Sequence, residues 1–128
     1  MVVKLFFLIV GGALGTLARS FLSEFISFAY KTHFPLATLF INLLGSFIIG
    51  FLWGIFDGKA LPHTKAFAFV GFLGAFTTFS TFSLDCFKLL QEGEVKLALF
   101  NILANNIFGI ILVFVGYTAA KMYNPLTR

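Results

Sequence analysis

Hydrophobic residues run through this chain in long blocks broken by short polar connections. Leu36–Phe56, Ala66–Leu84 and Leu97–Ala120 contain no charged residue. Near the N-terminus Leu5–Ala18 is uncharged, Arg19 intrudes, and apolar residues resume through Ala29, with Glu24 towards the end of the run. A membrane-spanning helix needs about 20 apolar residues at ~1.5 Å rise each. The pattern therefore predicts four spans, at about 3–28, 36–56, 65–90 and 96–121. Pro35 and Pro62 stand where the second and third helices should begin, a position that tolerates proline. The expected fold is an all-α membrane protein with residues 1–128 as a single four-helix transmembrane domain. The first segment has no cleavage-type site followed by a polar mature chain, so it reads as a span and not as a leader.

Composition supports this reading. The chain is 59% hydrophobic, includes 20 Phe, and is only 11% charged, against roughly 25% in a soluble domain. Cys86 is the one cysteine, which excludes a disulfide framework and a cysteine metal cluster. The net charge of +4 is spread over loops and both ends. With no basic stripe, nucleic acid is not an expected partner, whereas membrane lipid is. His33 and His63 fall in connections. No set of nucleophile, base and metal ligands occurs, and no phosphate-binding loop pattern, so the chain does not read as an enzyme.

Four spans put both termini on one side, with Lys4, Lys59, Lys65, Lys121 and Arg128. Lys31, Lys88 and Lys96 fall on the other side. Five against three is a weak positive-inside bias. It fits one fixed orientation with a weak signal, or two populated orientations.

Each predicted span also carries a small or polar face. Thr38, Asn42, Ser46, Gly50 and Gly54 recur every four residues in the second span, and Gly11, Gly15, Arg19 and Ser23 do so in the first. The fourth holds Asn101, Asn105 and Gly109, with Asn106 beside them. Small residues at this spacing let helices pack closely. Asparagine amides in hydrocarbon need partners, whether as glue between helices or towards a ligand. Arg19 is costly inside a span, and reads either as an interfacial anchor or as a source of positive potential for an anion. No carboxylate falls mid-span, which argues against proton-coupled cation transport.

The stretch "GAFTTFSTF", Gly74–Phe82, sets four hydroxyls among three phenylalanines. Gly, Thr and Ser are weak helix formers, so the third helix is expected to break near its middle. A break at membrane depth frees backbone carbonyls, which sodium or water would satisfy. Phe79 and Phe82 have electropositive ring edges. With the Ser80 and Thr81 hydroxyls and the Asn42 amide, they offer a narrow path for an anion; helix packing is the competing reading.

The same stretch resembles the third-span signature of the Fluc (CrcB) fluoride channel family. "GGALGTLAR" and "FINLLGSFIIG" are similar to its first two spans, in the same order, and the resemblance covers essentially the whole chain. Ala75 departs from the pattern, which has glycine there. The resemblance implies an antiparallel, dual-topology homodimer with two fluoride pores. It implies that Phe79 and Phe82 line the pores, that Asn42 orients the pore region, and that Ser80 and Thr81 belong to a polar track. Thr38, on the same face as Asn42, joins this set, and Arg19 falls near the vestibule. Gly74 and Thr77 would hold a structural sodium ion through backbone carbonyls.

The expected function is passive, selective export of fluoride across a prokaryotic cytoplasmic (inner) membrane. The competing classes are a small dual-topology multidrug-type exporter and a non-transporting membrane assembly subunit.

Overall fold

The structure, a computed structural model, describes residues 1–123. Arg128, counted above in the charge balance, lies outside the described residues. Four helices are long and apolar enough to cross a membrane: α1 (Val2–Ala29), α2 (Leu36–Phe56), α3 (Pro62–Gln91) and α4 (Val95–Tyr123). No strand occurs among the described residues. Pro35 caps the N-terminus of α2, and Pro62 opens α3. His63 does not lie in a connection: it falls in the first turn of α3, its ring stacked 5.2 Å from that of Phe7. The polar run from Asp57 stops short of it because Pro62 starts the helix early.

The helices pack as two close pairs through the small residues of the sequence stripes. Gly11 and Gly15 of α1 face the backbone of Phe67 and Phe72 in α3. Gly50 and Gly54 of α2 face the backbone of Val113 and Tyr117 in α4, and Gly116 of α4 faces Phe47 of α2. A β-carbon at these positions would collide with main-chain atoms, so only glycine permits the approach. Lipid tails are as apolar as leucine, so dispersion between closely fitted backbones supplies much of the cohesion. The outward faces stay apolar: Phe21, Phe25 and Phe28 of α1 are largely exposed.

Polar contacts tie the ends. Lys121 of α4 donates to Asp57 Oδ1 at 2.9 Å and lies 5.5 Å from the centre of the Tyr117 ring. The hydrogen bond and the charge of Lys121 hold the Asp57 carboxyl below its ordinary 3.8. At the opposite ends, His33 Nε2 approaches Glu92 Oε2 at 2.7 Å, linking the α1–α2 and α3–α4 connections.

α3 is not continuous. Residues 62–76 form its first part, of which Lys65–Leu73 is wound as a π-helix. Thr77 (φ −80°, ψ 155°) and Thr78 (φ −146°, ψ 114°) are extended, and an α-helix resumes at Phe79–Gln91. A second π-helical turn, Ala104–Phe108, interrupts α4.

Candidate functional site

The break is held by side chains from α2 and α3. Thr77 N–H still reaches the Leu73 carbonyl at 3.1 Å, and its hydroxyl donates to the same oxygen at 2.9 Å. Thr78 then leaves the helix. Its N–H donates to Asn42 Oδ1 at 2.8 Å, and its carbonyl accepts from Asn42 Nδ2 at 3.2 Å. Its hydroxyl accepts the Thr81 N–H at 3.3 Å, capping the second half-helix, and donates to Thr81 Oγ1 at 3.0 Å. Threonine suits this place because its oxygen satisfies a helix-start donor that no carbonyl can reach. Gly45 of α2 opens the space, since a β-carbon there would strike the Thr77 methyl.

Apart from Ser80, the expected site residues separate into two cavities that meet at Thr78. One, of about 360 Å³, is bordered by Asn42, Gly74, Thr77, Phe79 and Phe82. Phe79 is 76% exposed whereas Phe82 is 7% exposed; their rings lie 5.5 Å apart at 54°. The other, of about 380 Å³, is bordered by Arg19, Thr38 and Thr81 with Ser20, Ser23 and Glu24. Arg19 Nε is buried there with no hydrogen-bond partner in the described chain. Ser80 lines neither cavity and is exposed.

The break also orients electrostatics. The second half-helix begins at Phe79, so its first N–H groups and the positive end of its dipole face the break. The half-helix before it ends at Phe76 with free carbonyls. A continuous helix would direct the Thr78 N–H to the Gly74 carbonyl; here that N–H goes to Asn42. The Thr81 N–H likewise turns to the Thr78 hydroxyl, away from the Thr77 carbonyl. These two neutral, hard oxygens fit a small monovalent cation. No cluster of three or more His, Cys, Asp or Glu suited to a metal occurs among the described residues.

Three members of the site go beyond the residues expected from sequence. Thr78 is the hinge between the cavities. Asn105 accepts from Asn42 Nδ2 at 3.0 Å, and Asn106 borders the aromatic cavity. The asparagines of α4 were visible as a polar cluster, but sequence offered no register between α4 and α2. The π-helical turn at 104–108 supplies that register.

A four-span membrane protein with a polar break flanked by rings and hydroxyls is built to pass or hold a small ion. The family model described as "CrcB-like protein, Camphor Resistance (CrcB)" matches residues 6–117, and this chain belongs to that family. It is 44% identical over 120 residues to a "Fluoride-specific ion channel FluC" of Parabacteroides distasonis, covering 93% of this chain and 94% of the other. Proteins of the same name from Pyrococcus abyssi and Aquifex aeolicus are 45% and 42% identical, over 89% and 84% of this chain and 93% and 89% of theirs.

Proposed function

We propose that this chain is a fluoride-selective passive channel, exporting fluoride across a prokaryotic cytoplasmic membrane and so lowering cytoplasmic fluoride. It is not an enzyme. The observation that carries this reading is the break at Thr77–Thr78. It sets the Phe79 and Phe82 rings at the positive end of a half-helix, beside a cavity lined by amides and hydroxyls. The likeness to proteins named as fluoride channels runs through the same segment.

Fluoride is small and strongly hydrated, so a dry path must replace its water with donors. On the polar side, the Thr38 and Thr81 hydroxyls serve as donors, with Arg19 raising the local potential for an anion. On the aromatic side, the ring edges of Phe79 and Phe82 carry partial positive charge. Both Asn42 Nδ2 hydrogens already serve Thr78 and Asn105, so Asn42 acts by holding the break in shape. Neither a carboxylate nor a mobile proton is needed for passive passage. That separates this reading from a proton-coupled exporter.

The assembly belongs to the same proposal: two copies insert antiparallel, as the near-even charge balance across the membrane favours. Phe79, exposed on the single chain, then faces the second copy. A sodium ion at the Gly74 and Thr77 carbonyls of the two copies would neutralise the oxygens freed by the break.

Efflux from liposomes containing the purified protein tests the function, with valinomycin carrying counter-charge and chloride as control. Rapid fluoride release without chloride release is expected. A folded protein that releases no fluoride with sodium present overturns the proposal and leaves the assembly-subunit reading.

A further inference from the structure

One chain of amides runs from the break into the interior of α4. Thr78 N–H donates to Asn42 Oδ1 at 2.8 Å, and Asn42 Nδ2 donates to Asn105 Oδ1 at 3.0 Å. Asn105 Nδ2 donates to Asn101 Oδ1 at 2.9 Å, and Asn101 Nδ2 donates to Cys86 Sγ at 3.3 Å. The chain thus leaves α3 at the break, crosses α2 and α4, and returns to α3 at Cys86.

All three amides point the same way, and two main-chain partners determine the direction. The Thr78 N–H can only donate, so it must meet the oxygen of Asn42. Asn105 Nδ2 also donates to the Asn101 main-chain carbonyl at 3.0 Å, a group that can only accept. With Asn42 and Asn105 fixed by these partners, and Asn101 Oδ1 facing the Asn105 donor, reversing any one amide would set donor against donor. Asn101 is fully buried, and Cys86 is nearly so. Networks of this kind polarise one another and reward full satisfaction, while a buried unpaired member is costly.

We propose that Asn101 and Asn105 are positioning residues for the ion pathway. They set the Asn42 carboxamide, and through it the geometry of the break at Thr78. This rests on the fluoride-channel reading only for its functional consequence; the relay is a property of the fold. Asn101 is the informative member. It borders neither cavity at the break, so its replacement acts on ion passage through its neighbours and not by direct contact with the ion.

The test pairs two measurements on the full-length protein carrying Asn101→Leu, with Asn101→Ser as a smaller second variant whose hydroxyl is too short to bridge. The first is amide hydrogen exchange at Thr78 by NMR in micelles, without fluoride. The second is fluoride efflux from liposomes, read as a ratio to the unaltered protein. Loss of one relay bond is expected to speed Thr78 exchange and to slow efflux, each by about tenfold. Amides of Phe47–Phe51 in α2 stay protected. Unchanged Thr78 exchange in a folded variant overturns the relay, as does uniformly faster exchange across α2, α3 and α4, which marks a purely structural role. Faster Thr78 exchange with efflux within twofold of the unaltered protein overturns the positioning role. If the unaltered protein passes no fluoride, the channel reading fails while the exchange arm still decides the relay. If neither variant folds but Cys86→Ala folds and leaves Thr78 exchange unchanged, the relay is likewise overturned.

Discussion

Asn42 pairs with both main-chain groups of Thr78: its Oδ1 takes the N–H at 2.8 Å and its Nδ2 gives to the carbonyl at 3.2 Å. One side chain of α2 thereby replaces the helical partners that Thr78 gives up. Only a carboxamide of this length offers an acceptor and a donor side by side.

Asn42→Asp therefore tests the pair directly. The carboxylate still accepts from Thr78 N–H but gives nothing to the Thr78 carbonyl or to Asn105. Two acceptors are left facing a third, at a cost of about 1–3 kcal/mol, and a negative charge enters the pathway. Thermal unfolding in detergent should shift down, and fluoride efflux should fall at least tenfold. Normal efflux would remove Asn42 from the mechanism.

Phe79 and Phe82 should separate stability from transport. Phe82 is buried and Phe79 exposed on the single chain. Phe82→Ile is expected to cost about 1 kcal/mol of stability, while Phe79→Ile costs the single chain little. Both should cut fluoride efflux, since isoleucine has no electropositive edge. Unchanged efflux in either variant would sink the ring-edge role at that position.

Close packing of α2 on α4 predicts an asymmetry among glycines. A methyl on Gly116 meets the Phe47 carbonyl and lies 2.9 Å from the Phe51 nitrogen. The nearest atom to a methyl on Gly12 is 4.0 Å away. Gly116→Ala should destabilise by roughly 2–3 kcal/mol, and Gly12→Ala should be near neutral. Comparing unfolding midpoints of the two variants checks this, and equal midpoints would contradict the packing.

The Asp57–Lys121 pair predicts a small acid sensitivity. Lys121 depresses the Asp57 pKa in the folded protein. The resulting stabilisation is present above the ordinary carboxylate pKa and is lost as pH falls through the lowered folded value. Because Asp57 is exposed, the effect is modest. Asp57→Asn should flatten part of the acid limb of stability below the ordinary 3.8. It should change nothing near neutral pH beyond a small constant offset.

Much of this protein was legible in one dimension. Uninterrupted apolar blocks between charged connections require four buried or lipid-facing helices, because hydrocarbon leaves the backbone no other partner. Weak helix formers at Gly74, Thr77, Thr78, Ser80 and Thr81 marked the stretch in which α3 fails. The glycine spacing marked faces of close approach, though not which helix each face meets.

What only the tertiary structure decided is partnership. That Asn42 meets Thr78, that Asn105 meets Asn42, and that Thr78 separates a cavity bearing Arg19, Thr38 and Thr81 from one bearing Phe79 and Phe82 follow from the relative registers of four helices. The π-helical turn at 104–108 shifts that register locally and has no compositional mark. Ser80 shows the limit from the other side. It belongs to the same motif as Thr81, yet one residue of rotation, 100° on a helix, turns it out of both cavities. A sequence states which groups must find partners; the packed helices state which partners they find.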